Sequence, residues 1–203
     1  MNEPPFEFLT AASAEMRDYY WKKKDLSSCL RVSREAILFG QDAADDFPDA
    51  LVEILSLVKR LCYDVASFTW IGWDEPGIHP TESEIQEGLA MARMNLQYAI
   101  RLEKGDLPTS RAYWMVGAHL LTSNHAHEAI AEFEEAESYA ILAASKPDIK
   151  LVQAYLLLAQ QAADRSVTSD RLNQFLHAMD QHEETASLTQ QVRTAASVIG
   201  WDC

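Results

Sequence analysis

The sequence predicts an all-α fold, and three observations carry that expectation. Apolar residues recur at helical spacing along almost the whole chain. Gly and Pro are sparse, seven of each, while Ala, Leu, Glu and Gln are plentiful helix formers. No stretch shows the strict alternation or the Asn-Gly turn of a β-hairpin.

The elements follow in order. A first helix is expected from about Phe6 to Lys23, with Phe8, Leu9, Ala12, Met16, Tyr19 and Tyr20 on one broad face, until "KKKD" interrupts the pattern. A second runs from about Leu26 to Phe39, where Gly40 has the character of a C-cap. A third, about Ala50 to Phe68, carries Leu51, Ile54, Leu55, Val58, Leu61, Cys62 and Val65. That stripe is wide enough for burial on more than one side. "TWIGWDEPGIHPTES" then breaks the periodicity with Gly72, Pro76, Gly77 and Pro80, and is the longest loop expected. Thr81 or Ser83 caps a fourth helix from about Glu84 to Glu103. Thr109 or Ser110 opens a fifth, about Arg111 to Thr122, and a sixth covers about His125 to Leu142. After "SKPD" comes a seventh, about Ile149 to Ala163; "DRSVTSD" leads to an eighth, about Asp170 to Gln181. A last amphipathic segment spans Thr185 to Ile199.

Charge and composition narrow the function classes. A formal charge of −14 argues against a nucleic-acid surface, which needs clustered Lys and Arg to displace counterions. It favours a neutral or basic partner, in practice another protein or peptide. Cys29, Cys62 and Cys203 form no CxxC pair, so neither a zinc site nor a disulfide framework is suggested. The start, "MNEPPFEFLTAAS", is acidic where a secretory signal would be positive. No run approaches the roughly 20 apolar residues that span a bilayer. A cytoplasmic protein without membrane contact is the expectation, and no cofactor is expected.

Short connections make consecutive helices antiparallel neighbours. In one such pair, Tyr113, Val116, Gly117 and Leu120 are followed by Ala129, Phe133 and Ala136. This pattern resembles the tetratricopeptide repeat, with Tyr113 where the family's Trp stands, Leu120 where its Tyr stands, and Ile141 near its final Pro. Close packing explains the pattern, because Gly117 and Ala129 let two helix axes approach while Tyr113, Val116, Leu120 and Phe133 fill the space around them. Tyr155, Leu158 and Ala159 echo the first helix, and Phe175 and Ala178 echo Phe133 and Ala136; Arg171 departs from the expected small residue. Earlier matches are fainter: Tyr20, Cys29 and Ala36 have the right spacing, with Ser33 where an aromatic is expected, and Ala92, Leu96 and Ala99 have second-helix spacing. The resemblance implies one domain over 1–203, a short stack of hairpins. Residues 1–104 would be degenerate hairpins, 105–182 two better units, and 183–203 a capping helix and tail. An ordinary helical bundle is the alternative.

The strongest chemical cluster is "SNHAHEAI". With His119 one helix earlier, His125, His127 and Glu128 are the candidate metal ligands of a metal-dependent helical enzyme. Against this, residues two apart on a helix project roughly 200° from each other, whereas zinc pairs use a spacing of four. The resemblance makes the stretch an inter-helix turn, with Asn124 in a left-handed conformation that Asn tolerates. No metal site is therefore expected. Ser-His-Asp, Walker and GxGxxG arrangements are missing, so the chain is read as non-catalytic.

Two aromatic stretches could be binding surfaces. Trp70 and Trp73 make a candidate binding loop, although they are more easily read as tucking back to seal the end of the third helix. "RDYYWKKKD" sets Tyr19, Tyr20 and Trp21 beside three lysines, either as an anchor for an acidic segment or as a solvated helix C-terminus. The resemblance further implies a groove lined by the first helices of the hairpins. Its walls would be Arg111, Trp114, Ala118, Leu121 and Thr122, then Gln153, Leu156, Gln160 and Ala163. Trp114 stands out there, since it follows a packed Tyr113. Some members of that family clamp a terminal carboxylate with Lys, Asn and Arg; here Arg111 alone is basic, so no such clamp is expected. The functional expectation is a protein-interaction module or adaptor, with a homo-oligomeric structural subunit as a further alternative.

Overall fold

The computed structural model describes residues 5–164 and 170–201, and among them every regular element is helical. Cys203 and most of the "DRSVTSD" connection lie outside the described residues. No described helix is long and apolar enough to cross a membrane. The chain divides into two compact units: Met1–Thr69 with Pro76–Glu103, and Trp70–Glu75 with Lys104–Cys203.

In the first unit α1 (Phe6–Asp18), α2 (Leu26–Asp46), α3 (Leu51–Thr69) and α4 (Glu82–Arg101) pack each against the next, and α1 also meets α3. The expected first helix does not stay α-helical to Lys23. Tyr19–Lys23 widen into a π turn that ends on Lys24 at φ 52°. The widened turn holds the Tyr20 ring, buried, in a stack on Phe68 at 4.0 Å. Asp25 then starts α2 by accepting the Ser28 amide at 3.0 Å, an N-cap bond that satisfies one orphan donor.

Gly40 corrects an expectation, for α2 does not end there. It is a buried mid-helix residue where a Cβ would fall 2.5 Å from Val58 Cγ2 and 3.2 Å from a Leu9 methyl. The missing side chain lets three helices converge, and the packing gained outweighs the roughly 1 kcal/mol a helix loses at Gly. Ser33 takes the place expected of an aromatic and is buried, its hydroxyl donating to the Cys29 carbonyl at 2.7 Å. Arg17 donates to Asp64 across α1 and α3 at 2.7 Å, and Arg34 pairs with Glu87 across α2 and α4. Thr81 and Glu84 form a reciprocal capping box at the start of α4.

The second unit contains α5 (Asp106–Thr122), α6 (Ala126–Leu142), α7 (Lys146–Ala163), α8 (Asp170–Asp180) and α9 (Glu183–Val198). Both turns that follow α5 and α6 are closed in the same way. Asn124 and Ala144 adopt left-handed conformations, and the next amides, His125 and Ser145, reach back to the Leu120 and Ala140 carbonyls at 2.9 and 3.2 Å. Gly117 lies flat against the Phe133 ring; a Cβ there would stand 2.7 Å from Cε1. Ser110 ties the two helices at the other end by donating to the Ala136 carbonyl at 2.7 Å.

The α7–α8 pair differs from its expected pattern. Phe175 is half-buried and Ala178 exposed, while Leu172, Leu176 and Met179 are the residues α8 buries. Helix α9 packs on both α7 and α8.

Candidate functional site

Each expected groove residue has a definite place in the second unit. Trp114 and Leu121 are buried, at 5% and 3% exposure, so neither is surface that a partner can reach. The reason is an aromatic cluster that sequence spacing could not reveal. Trp70 donates its indole N–H to the Ala118 carbonyl at 3.0 Å and meets Trp114 edge-on at 5.5 Å. Trp114 in turn meets Tyr155 at 5.3 Å, and Tyr155 reaches Phe133 at 5.6 Å. Trp73 packs edge-on against Trp70 at 4.8 Å. Of the candidate binding loop, Trp70 is in the core at 2% exposure, where it meets α5 and α7, while Trp73 is half-buried. Gly72 is required beneath it, since a Cβ there would overlap the Trp70 ring.

Arg111 is exposed, but one edge of its guanidinium meets both Asp148 oxygens, with Nε at 2.7 Å and Nη2 at 3.2 Å. Ser145 donates to the same carboxylate at 2.6 Å. Burial raises the Asp148 pKa, but the Arg111 and Ser145 hydrogen bonds outweigh it and hold the carboxyl below its ordinary value. The basic residue of the expected groove is thus engaged within the fold.

Gln153, Leu156 and Gln160 do converge. They occupy positions i, i+3 and i+7 of α7, one helical face, and line a cavity of about 580 Å³. Glu137 of α6 forms one side, accepting from Gln153 Nε2 at 2.7 Å; Arg171 and Phe175 of α8 form the other. Phe175 also walls a neighbouring cavity of about 650 Å³ bounded by Lys146, Lys150 and His182. The Lys150 ammonium stands 5.1 Å over the Phe175 ring. Phe175 is a site residue that the repeat resemblance assigned to the core. The i, i+4, i+7 spacing of Leu172, Leu176 and Met179 is the signal that gives the buried face and leaves Phe175 on its flank.

Among the described residues the lining of the first cavity contains no Cys, His, Ser or Thr. The described lining offers amides, two leucines, a phenylalanine ring and one charge of each sign. The histidine cluster does not assemble. His119 is fully buried in α5, while His125, His127 and Glu128 are exposed at the start of α6. Among the described residues no group of three His, Cys, Asp or Glu side chains could hold a metal ion. Burial pushes the Cys29 and Cys62 thiols up to about 12, which keeps them protonated and poorly nucleophilic.

What fold and site define together is an all-helical chain of two units with an amide-lined groove along α7. No protein-family model, curated protein or solved structure matches it.

Proposed function

We propose that this chain is a non-catalytic interaction module, with α5–α6 as a tetratricopeptide-like hairpin, that holds a short segment of another protein along α7. The observation that carries the reading is the convergence of Gln153, Leu156 and Gln160 on one cavity. Primary amides offer donors and acceptors together, the pairing an extended peptide backbone needs, and a half-buried leucine between them gives an apolar side chain a seat. Arg171 and Glu137 at opposite walls favour a ligand with a fixed direction.

The test is selection of a random peptide library on the full chain, followed by titration of the recovered peptides. Leu156→Asp should weaken binding at least tenfold, the scale of an interface anchor. The same variant should keep the wild-type circular-dichroism melt. Recovered peptides that bind Leu156→Asp as tightly as wild type would remove the α7 groove from consideration.

A further inference from the structure

The first unit presents a second surface of different chemistry. The last turns of α2 bury Ile37, Gly40, Ala43 and Ala44 and turn Leu38, Phe39, Asp42, Asp45 and Asp46 to solvent. Leu38 is 61% exposed and Phe39 47%. Phe39 meets Phe8 of α1 edge-on at 4.8 Å, and Phe8 is itself 49% exposed. Two helices therefore hold a pair of rings in register on the outside of the unit, where burial would favour them inside.

The segment that follows Phe39 carries charges of one sign. No Lys or Arg occurs between Glu35 and Val58, whereas Asp42, Asp45, Asp46, Asp49 and Glu53 do, and Glu7 adjoins Phe8. Among the described residues Asp42, Asp45, Asp46 and Asp49 have no ion-pair partner. Asp45 and Asp46 also lie in the last turn of α2, the helix end whose dipole disfavours anions. Both features work against the isolated fold, and cations from outside relieve both.

We infer that the Phe8–Phe39 face with its Asp42–Asp49 border docks a basic amphipathic helix of a partner protein. Leucine-like side chains at i, i+3 and i+4 would cover the rings and Leu38, while flanking lysines or arginines meet the aspartates. The negative border repels anionic lipid, which sets a protein helix above a membrane surface as the occupant. This surface is independent of the α7 groove and stands or falls separately.

The probe is a fluorescent, amidated 18-residue peptide, of a length that gives about five helical turns, with Leu on one face and Lys on the other. A Leu/Glu peptide of the same register is the control, and both are titrated by anisotropy against the full chain. The Leu/Lys peptide should bind saturably, one per chain, and lose affinity as salt rises. Phe8→Ser with Phe39→Ser should weaken it at least tenfold; the highly exposed Leu38→Ser should weaken it several-fold without touching the core. Asp42→Asn with Asp45→Asn and Asp46→Asn should weaken it and flatten the salt dependence. Leu156→Asp should leave it unchanged. Equal binding by the Leu/Glu peptide, or full affinity in both the double-Phe and Leu38 variants, overturns the inference. So does an equal loss in Leu156→Asp, which places the peptide on α7. A dimer of the wild type, seen by light scattering and dissociated by Leu38→Ser, also overturns it, because the occupant is then a second copy of the chain.

Discussion

Helices α6 and α8 carry the same Phe-x-x-Ala spacing, yet they use it in opposite ways. In α6 both Phe133 and Ala136 are fully buried against α5, while in α8 the equivalent Phe175 is half-exposed and Ala178 exposed. The difference lies in what faces each ring. Phe133 rests on Gly117, where there is no Cβ to hold it away. The corresponding residue in α7 is Ala159, and Arg171 stands where α6 has the small Ala129. Without a small residue on both helices the axes cannot draw together, so α8 rotates and buries Leu172, Leu176 and Met179 instead. A pattern of spacings thus describes a packing only when the small residues opposite it are present as well.

The most direct way to break this comparison is to truncate the two phenylalanines. Phe133→Ala should cost about 4 kcal/mol, the range for a large aromatic removed from a close-packed core. Phe175→Ala should cost less than about 1 kcal/mol, as for a residue outside the core. Urea unfolding of the three proteins reads both values. Equal losses would mean that α8 packs as α6 does and that the rotation described above is wrong.

A finer probe adds a single methyl group. Gly117→Ala would set a Cβ 2.7 Å from Phe133 Cε1, and the ring has buried neighbours that limit its retreat. Overpacking of this kind costs about 1–3 kcal/mol, against which Ala regains up to about 1 kcal/mol of helix propensity. A net loss of about 1 kcal/mol is expected by thermal unfolding. Ala159→Gly should cost the helix propensity plus the burial of one methyl group, about 1–2 kcal/mol, because Ala159 is fully buried. A stabilised Gly117→Ala would show that close approach is not what holds the α5–α6 hairpin.

The same reasoning explains what the sequence could reveal. The helices are legible because each rests on local periodicity and local caps, as with Asn124, whose tolerance of φ 63° needs no tertiary partner. Gly40 was misread for the opposite reason. Glycine ends helices by a local preference, but here it serves a contact with Leu9 and Val58, one many residues away in each direction along the chain. Trp114 lies in the core for the same tertiary reason, and Trp70, read as more easily tucking back than as a binding residue, tucks against α5 and α7. Adjacent helical residues point about 100° apart, and it is Trp114, with Tyr113 only half-buried, that faces the core. Nor could local sequence show that the Trp70–Glu75 segment packs in the second unit. Gln153, Leu156 and Gln160 were legible as a face of α7, but Glu137 and Phe175, which turn that face into a groove, come from neighbouring helices.

Ion pairs give the smallest expected difference between the two hairpins. Arg111 of α5 grips Asp148 of α7, a carboxylate with 12% side-chain exposure, whereas Arg193 of α9 meets the more open Asp180 of α8 at 30%. Burial acts to raise the Asp148 pKa, yet the Arg111 and Ser145 hydrogen bonds leave it lowered. A carboxyl with a depressed folded-state pKa contributes stability above its unfolded value, and that contribution is lost as pH falls through the folded one. Arg111→Met should therefore cost about 0.5–1 kcal/mol at neutral pH, discounted for the exposed guanidinium. The gap to wild type should close below the ordinary carboxylate range, once Asp148 is protonated in both proteins. Arg193→Met should show a smaller gap throughout. An Arg111→Met deficit that persisted unchanged in acid would mean that the arginine stem, lying on the helix surface, matters more to α5–α7 than its charge.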